Sequence, residues 1–158
     1  MPNYRPNLPR IFFSKVGNQK LRTAIWSGTD KGSGKRTPLL FFNGIGANLE
    51  IAQTFADSFT GRDIITFDMP GVGGSPDPTI PYRPSWVAKA AKKILLENGY
   101  EIVDVMGVSW GGGLAHVERN NYSNLFLGKP RLLVFKLGGN VQLPPMPEES
   151  FVVPGYYN

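Results

Sequence analysis

The chain has 158 residues, 41% hydrophobic and 18% charged, with a net charge of +5 and no cysteine. Such a composition belongs to an ordinary globular domain with length for one core, and it excludes a disulfide framework and a thiol nucleophile. No window approaches the roughly 18 uninterrupted apolar residues of a membrane span; the opening Met1-Pro2-Asn3-Tyr4-Arg5-Pro6 has no apolar core of a secretory signal, so a cytoplasmic setting is expected.

The charge is uneven. Residues 1–36 hold eight Lys/Arg against Asp30 alone, whereas the remainder is slightly acidic. Lys and Arg are not interleaved with aromatics there as in a nucleic-acid groove, so a solvated basic face is expected and no nucleic-acid partner.

In chain order, residues 1–9 are proline-rich and read as irregular. Residues 11–16 and 21–26 read as two strands joined in a hairpin at Gly17-Asn18-Gln19-Lys20. The polar loop 27–37 contains Gly32-Ser33-Gly34-Lys35, which fails as a phosphate-binding loop. Thr29 stands where that motif needs its first glycine, and Arg36 where it needs Ser or Thr. Residues 38–42 (Pro-Leu-Leu-Phe-Phe) form a continuous apolar run, as expected of a strand covered on both faces.

Asn43-Gly44-Ile45-Gly46-Ala47-Asn48 follows. Apolar residues at 49, 52, 55, 56 and 59 then predict a helix with Asn48 as its N-cap and Glu50 complementing its dipole. Residues 64–67 read as the next buried strand, ending at Asp68-Met69-Pro70-Gly71-Val72-Gly73-Gly74-Ser75. After a proline-rich loop, residues 85–98 place Trp86, Val87, Ala90, Ala91, Ile94 and Leu95 on one helical stripe, with Gly99 as the stop. Residues 102–106 read as a strand running into Gly107-Val108-Ser109-Trp110-Gly111-Gly112 and a further helix. Strand and helix alternating three times predict an α/β fold with a mostly parallel sheet, entered by an antiparallel hairpin.

Gly107-Val108-Ser109-Trp110-Gly111 between strand and helix has the form of a nucleophile elbow, which thrusts the serine hydroxyl outward. Gly107 and Gly111 allow close backbone approach, and the helix N-terminus brings amide donors beside Ser109. The second glycine cluster then acquires a purpose. Backbone N–H groups of Ile45, between Gly44 and Gly46, and of Trp110 would together receive the oxyanion formed when Ser109 attacks an ester carbonyl. A dinucleotide-binding reading of Gly44-Ile45-Gly46 is disfavoured by Leu49, which stands where close helix–strand packing needs Gly or Ala.

Read together, residues 39–50, 67–75 and 107–112 resemble the α/β-hydrolase fold. More narrowly, the Asn-Gly-Ile-Gly-Ala-Asn loop resembles that of intracellular medium-chain-length poly(3-hydroxyalkanoate) depolymerases, where most α/β hydrolases carry His-Gly. The likeness runs from about residue 21 to about 115. It implies a serine ester hydrolase acting on 3-hydroxyacyl polyester at cytoplasmic storage granules, with Ser109 as nucleophile, no cofactor and no metal. It also implies that Asp68 is structural. The fold's remaining partners are an acid and then a histidine after the nucleophile. The acids after Ser109 are Glu118, Glu148 and Glu149, and the one histidine is His116.

Seven helical positions separate His116 from Ser109, roughly 10 Å along an axis against the ~3 Å reach of a base. No triad acid or base is therefore found, and a truncated or frame-disrupted copy with impaired activity is expected. Residues 1–137 are expected to form the N-terminal part of the hydrolase domain, with a further strand at 131–137. Residues 138–158 are expected to be a poorly patterned, proline-rich tail. A non-catalytic module binding granules or a protein partner, and a generic esterase or lipase, are the alternatives. Oligomeric state is not legible.

Overall fold

The computed structural model describes residues 7–29, 36–58, 61–108, 111, 114, 132–136 and 150–154. Their strands are β1 (Arg10–Val16), β2 (Gln19–Trp26), β3 (Leu39–Phe42), β4 (Ile64–Phe67), β5 (Asp104–Val108), β6 (Leu132–Lys136) and β7 (Ser150–Pro154). They form one sheet in the order β1-β2-β4-β3-β5-β6-β7. β1 pairs antiparallel with β2 and β2 with β4, and every later pairing is parallel. The α/β architecture entered by an antiparallel hairpin is thus observed.

Period-two alternation on the central strands sorts their side chains to two faces. Leu39 and Phe41 of β3 point to the face covered by α1 (Leu49–Asp57), joined there by Trp26, Ile64, Ala52 and Met106. Leu40 and Phe42 point to the opposite face, where α2 (Pro84–Glu97) contributes Val87, Ala90, Ala91, Ile94 and Leu95. Both faces are covered, which is why β3 reads as an uninterrupted apolar run, while the one polar residue of β4, Thr66, is buried and donates to Phe41 O at 2.6 Å. Each fully buried Leu or Ile here stabilises the fold by about 1.5–3 kcal/mol.

The caps follow from local sequence. The Asn48 side chain accepts the N–H of Ile51 at 3.3 Å and so caps α1 as expected. α2 opens with Pro84 at its first position and closes through a pair of bonds, Gly99 N–H to Leu96 O and Tyr100 N–H to Leu95 O. That pattern is a Schellman motif with Gly99 at C′.

Two expectations are corrected. The strand before the serine runs over Asp104–Val108, not 102–106, and Ile102 is 43% exposed. Its register explains the shift: pairing with β3 begins at Leu39↔Asp104, so residues before Asp104 have no neighbouring strand. The segment 138–158, expected to lack pattern, supplies β7, which pairs parallel with β6.

Candidate active site

β3 and β5 are parallel neighbours, paired from Leu39↔Asp104 to Phe42↔Gly107. Their C-terminal ends therefore lie side by side, and the segments that follow them must start from adjacent points. Residues 43–48 leave β3, and Ser109 is the residue after the last position of β5. Gly107 is buried within the strand. Gly111 is buried and helical, and a Cβ there would overlap the carbonyl oxygens of Phe42 and Asn43. The chain after β5 thus returns to within backbone contact of the end of β3.

The glycine loop is held at both ends. Asn43 is buried, and its side-chain amide donates to the Asn48 carbonyl at 3.3 Å. Gly46 has φ +73°, the left-handed region that favours glycine, and Ala47 N–H closes the turn onto Gly44 O at 3.2 Å. Ile45 presents its side chain 80% exposed, and no acceptor meets its N–H among the described residues. Ser109, Trp110, His116, Glu118, Glu148 and Glu149 lie outside the described residues.

Asp68, at the end of β4, is fully buried and fastens this loop to the next one. One carboxylate oxygen accepts Leu49 N–H at 2.9 Å, satisfying the first amide of α1; the other accepts Gly74 N–H at 2.9 Å. Arg22 approaches that second oxygen at 3.4 Å and pairs with Glu50 at 2.7 Å. The hydrogen bond from Arg22 holds the Glu50 carboxyl below its ordinary value, and the Glu50 bond raises Arg22 against the opposing effect of burial. Ser75 Oγ donates to the Asp68 carbonyl at 2.7 Å and accepts Arg22 N–H at 2.9 Å. Every polar atom of Asp68 is thus committed to the scaffold, in accord with a structural residue.

A cavity of about 200 Å³ opens beside the loop, with residues 44–47 on one side and Met69, Val72 and Tyr82 on the other. Burial raises the Tyr82 hydroxyl above its ordinary value, so it is neutral at physiological pH. Sequence reasoning assigned these three wall residues no role. A signal existed for two of them, since Met69 and Val72 lie in the glycine-rich segment 68–75 that follows β4; for Tyr82, in the proline-rich loop, there was none.

A mostly parallel sheet covered on both faces, with Gly111 packed against the backbone at the end of β3, defines an α/β scaffold. Residues 37–117 match the alpha/beta hydrolase fold family, and the chain belongs to it. It is 40% identical over 142 residues to a poly(3-hydroxyalkanoate) depolymerase of Ectopseudomonas oleovorans, covering 89% of this chain and 48% of that protein. The chain therefore spans about half the length of the curated relative it matches. Among solved structures, a bacterial membrane phospholipase A superposes with TM-score 0.67 at 22% identity, over 82% of this chain and 40% of that one. The thioesterase domain from the curacin biosynthetic pathway gives TM-score 0.67 at 18% identity, over 82% and 44%. These two likenesses concern the fold. Among the described residues, no helix is long and apolar enough to cross a membrane.

Proposed function

We propose that this chain carries the nucleophile and oxyanion half of a serine carboxylic-ester hydrolase whose substrate is 3-hydroxyacyl polyester, in the cytoplasm at storage granules. The carrying observation is the β3–β5 pair, whose adjacent ends, with Gly111 against Phe42 and Asn43, start the Ile45 loop and the Ser109 segment side by side. Identity to a poly(3-hydroxyalkanoate) depolymerase supports the substrate class.

In this reading Ser109 Oγ attacks the ester carbonyl and passes its proton to solvent water as the C–O bond forms. The negative charge on the carbonyl oxygen is met by the N–H groups of Ile45 and Trp110, each worth about 3 kcal/mol in the transition state. The tetrahedral centre then expels the alcohol, which takes up a proton, and water hydrolyses the acyl-serine to free acid. Gly44, Gly46, Gly107 and Gly111 keep the two backbone segments close. The cavity walled by Met69, Val72 and Tyr82 receives the acyl chain.

Residues 1–158 supply no histidine after an acid that follows Ser109. Without base and acid, such a site loses about 10⁴–10⁶ in kcat and keeps only oxyanion and binding effects. The test pairs two measurements on the purified 158-residue protein. A fluorophosphonate should label Ser109 slowly and leave Ser109→Ala unlabelled, while release of 3-hydroxyacids from medium-chain polyester should be barely above background. Absence of any label at Ser109 would sink the nucleophile assignment; brisk, Ser109-dependent turnover would sink the impairment.

A second reading, granule binding without turnover, is favoured by one observation. On the sheet-edge strand β1, Ile11 and Phe13 share a face and are 48% and 57% exposed, with Leu8 also exposed. Granule co-sedimentation lost in Ile11→Ser/Phe13→Ser but kept in Ser109→Ala would support it.

A further inference from the structure

A second cavity of about 380 Å³ lies between the β1–β2 turn, the proline-rich loop and the first turns of α2. Its volume falls within the ~300–1,000 Å³ of small-molecule clefts. Tyr82 lines both this cavity and the one beside residues 44–47, so the two are neighbours. The walls are amphiphilic. Pro70, Ile80 and Trp86 supply apolar surface, Ile80 is 73% exposed, and Trp86 stands 5.8 Å from Tyr82 in a tilted ring pair.

Two cations, Arg83 and Lys89, line the same cavity, and no Asp or Glu does. Neither has an ion-pair or hydrogen-bonding side-chain partner among the described residues, whereas Arg22, Arg62 and Lys93 are all paired with carboxylates. An apolar wall edged by two uncommitted cations complements a chain that is apolar along its length and anionic at its end.

We infer that this cavity binds the carboxylate-bearing end of an acyl chain, with the carboxylate on Arg83 and Lys89 and the methylenes against Ile80, Tyr82 and Trp86. The identity of the occupant rests on the ester-hydrolase reading, in which each cleavage creates a free carboxyl end. A chain held here and passing Tyr82 reaches the cavity beside Ile45. Recognition of the acid end would then bias cleavage towards chain termini.

The test uses calorimetric titration of the 158-residue protein with octanoate, and with octanol as its uncharged counterpart. Octanoate should bind saturably, at least ~10-fold more tightly than octanol, as charge-assisted hydrogen bonds to a carboxylate require. Arg83→Gln/Lys89→Gln should remove that preference and leave octanol unchanged. Both side chains are exposed, so the fold should survive; Lys93→Gln, on the same helix outside the cavity, should bind as the parent does. Equal affinity for acid and alcohol, no saturable octanoate binding, or an unaltered double variant would each overturn the inference. Fluorophosphonate labelling of Ser109 reports on the hydrolase reading separately, so the two failures are distinguishable.

Discussion

The carboxylate of Asp68 accepts the backbone N–H of Leu49 at 2.9 Å, and this bond joins the end of β4 to the start of α1. It has a consequence for the glycine loop. Residues 43–48 hang between β3 and α1, so anchoring the first amide of α1 fixes one end of the loop. The other carboxylate oxygen fixes Gly74 in the neighbouring loop, and the Asp68 side chain is wholly buried.

Asp68→Asn should therefore be severe although nearly isosteric. An asparagine offers one acceptor and one NH₂, and that NH₂ must face either the Leu49 N–H or the Gly74 N–H together with the Arg22 guanidinium. Breaking a buried, hydrogen-bonded charge costs about 3–5 kcal/mol. Urea denaturation should show the midpoint falling with little change in slope.

Two glycines near the site should respond differently to alanine. At Gly111 the added methyl meets backbone carbonyl oxygens of Phe42 and Asn43, which cannot retreat without disturbing β3. Gly111→Ala should cost several kcal/mol, on the order of 2–4 as for severe overpacking. At Gly46 nothing lies within 4 Å of an added Cβ, and the cost is only the left-handed backbone, about 1 kcal/mol. Thermal melts of the two variants should separate accordingly.

Tyr100 is half-buried, donates to Asp63 at 2.9 Å, and burial together with that bond pushes its hydroxyl up to about 12. Because the folded value exceeds the ordinary 10, the contribution is fully present below pH 10 and is lost as pH rises towards 12. The decline should be about 1–3 kcal/mol. Tyr100→Phe should abolish that part of the alkaline destabilisation, seen by comparing urea midpoints at pH 9 and 11.5.

Glu50 behaves in the opposite sense. Its carboxyl is lowered chiefly by the hydrogen bond from Arg22, so its contribution is present above its ordinary value of 4.5 and is lost as pH falls through the lowered one. The side chain is 59% exposed, so screening keeps the effect to about 0.2–1 kcal/mol. Glu50→Gln should be slightly destabilising at pH 7, and the difference should close in acid and at high salt.

Periodicity and punctuation along the chain were enough to place α1, α2, the hairpin, β3 and β4. They report local physics: 3.6-residue stripes in α1 and α2, unbroken apolar runs where a strand is covered twice, and Asn48 and Gly99 as caps. Family pattern carried Ser109, Ile45 and the glycines as candidates, because glycine at a close approach leaves a trace in the sequence. Other features depend on which strands become neighbours. Where β5 begins was set by pairing with Leu39, and β7 by the edge that β6 offers, since hydrogen-bonding partners distant in sequence leave no periodic mark. The same holds for the Asp68 bonds to Leu49 and Gly74, and for Tyr82 as a residue shared by two cavities. Those contacts exist because the sheet order 2-4-3-5 brings four loops to one end, and no window along the chain contains that order.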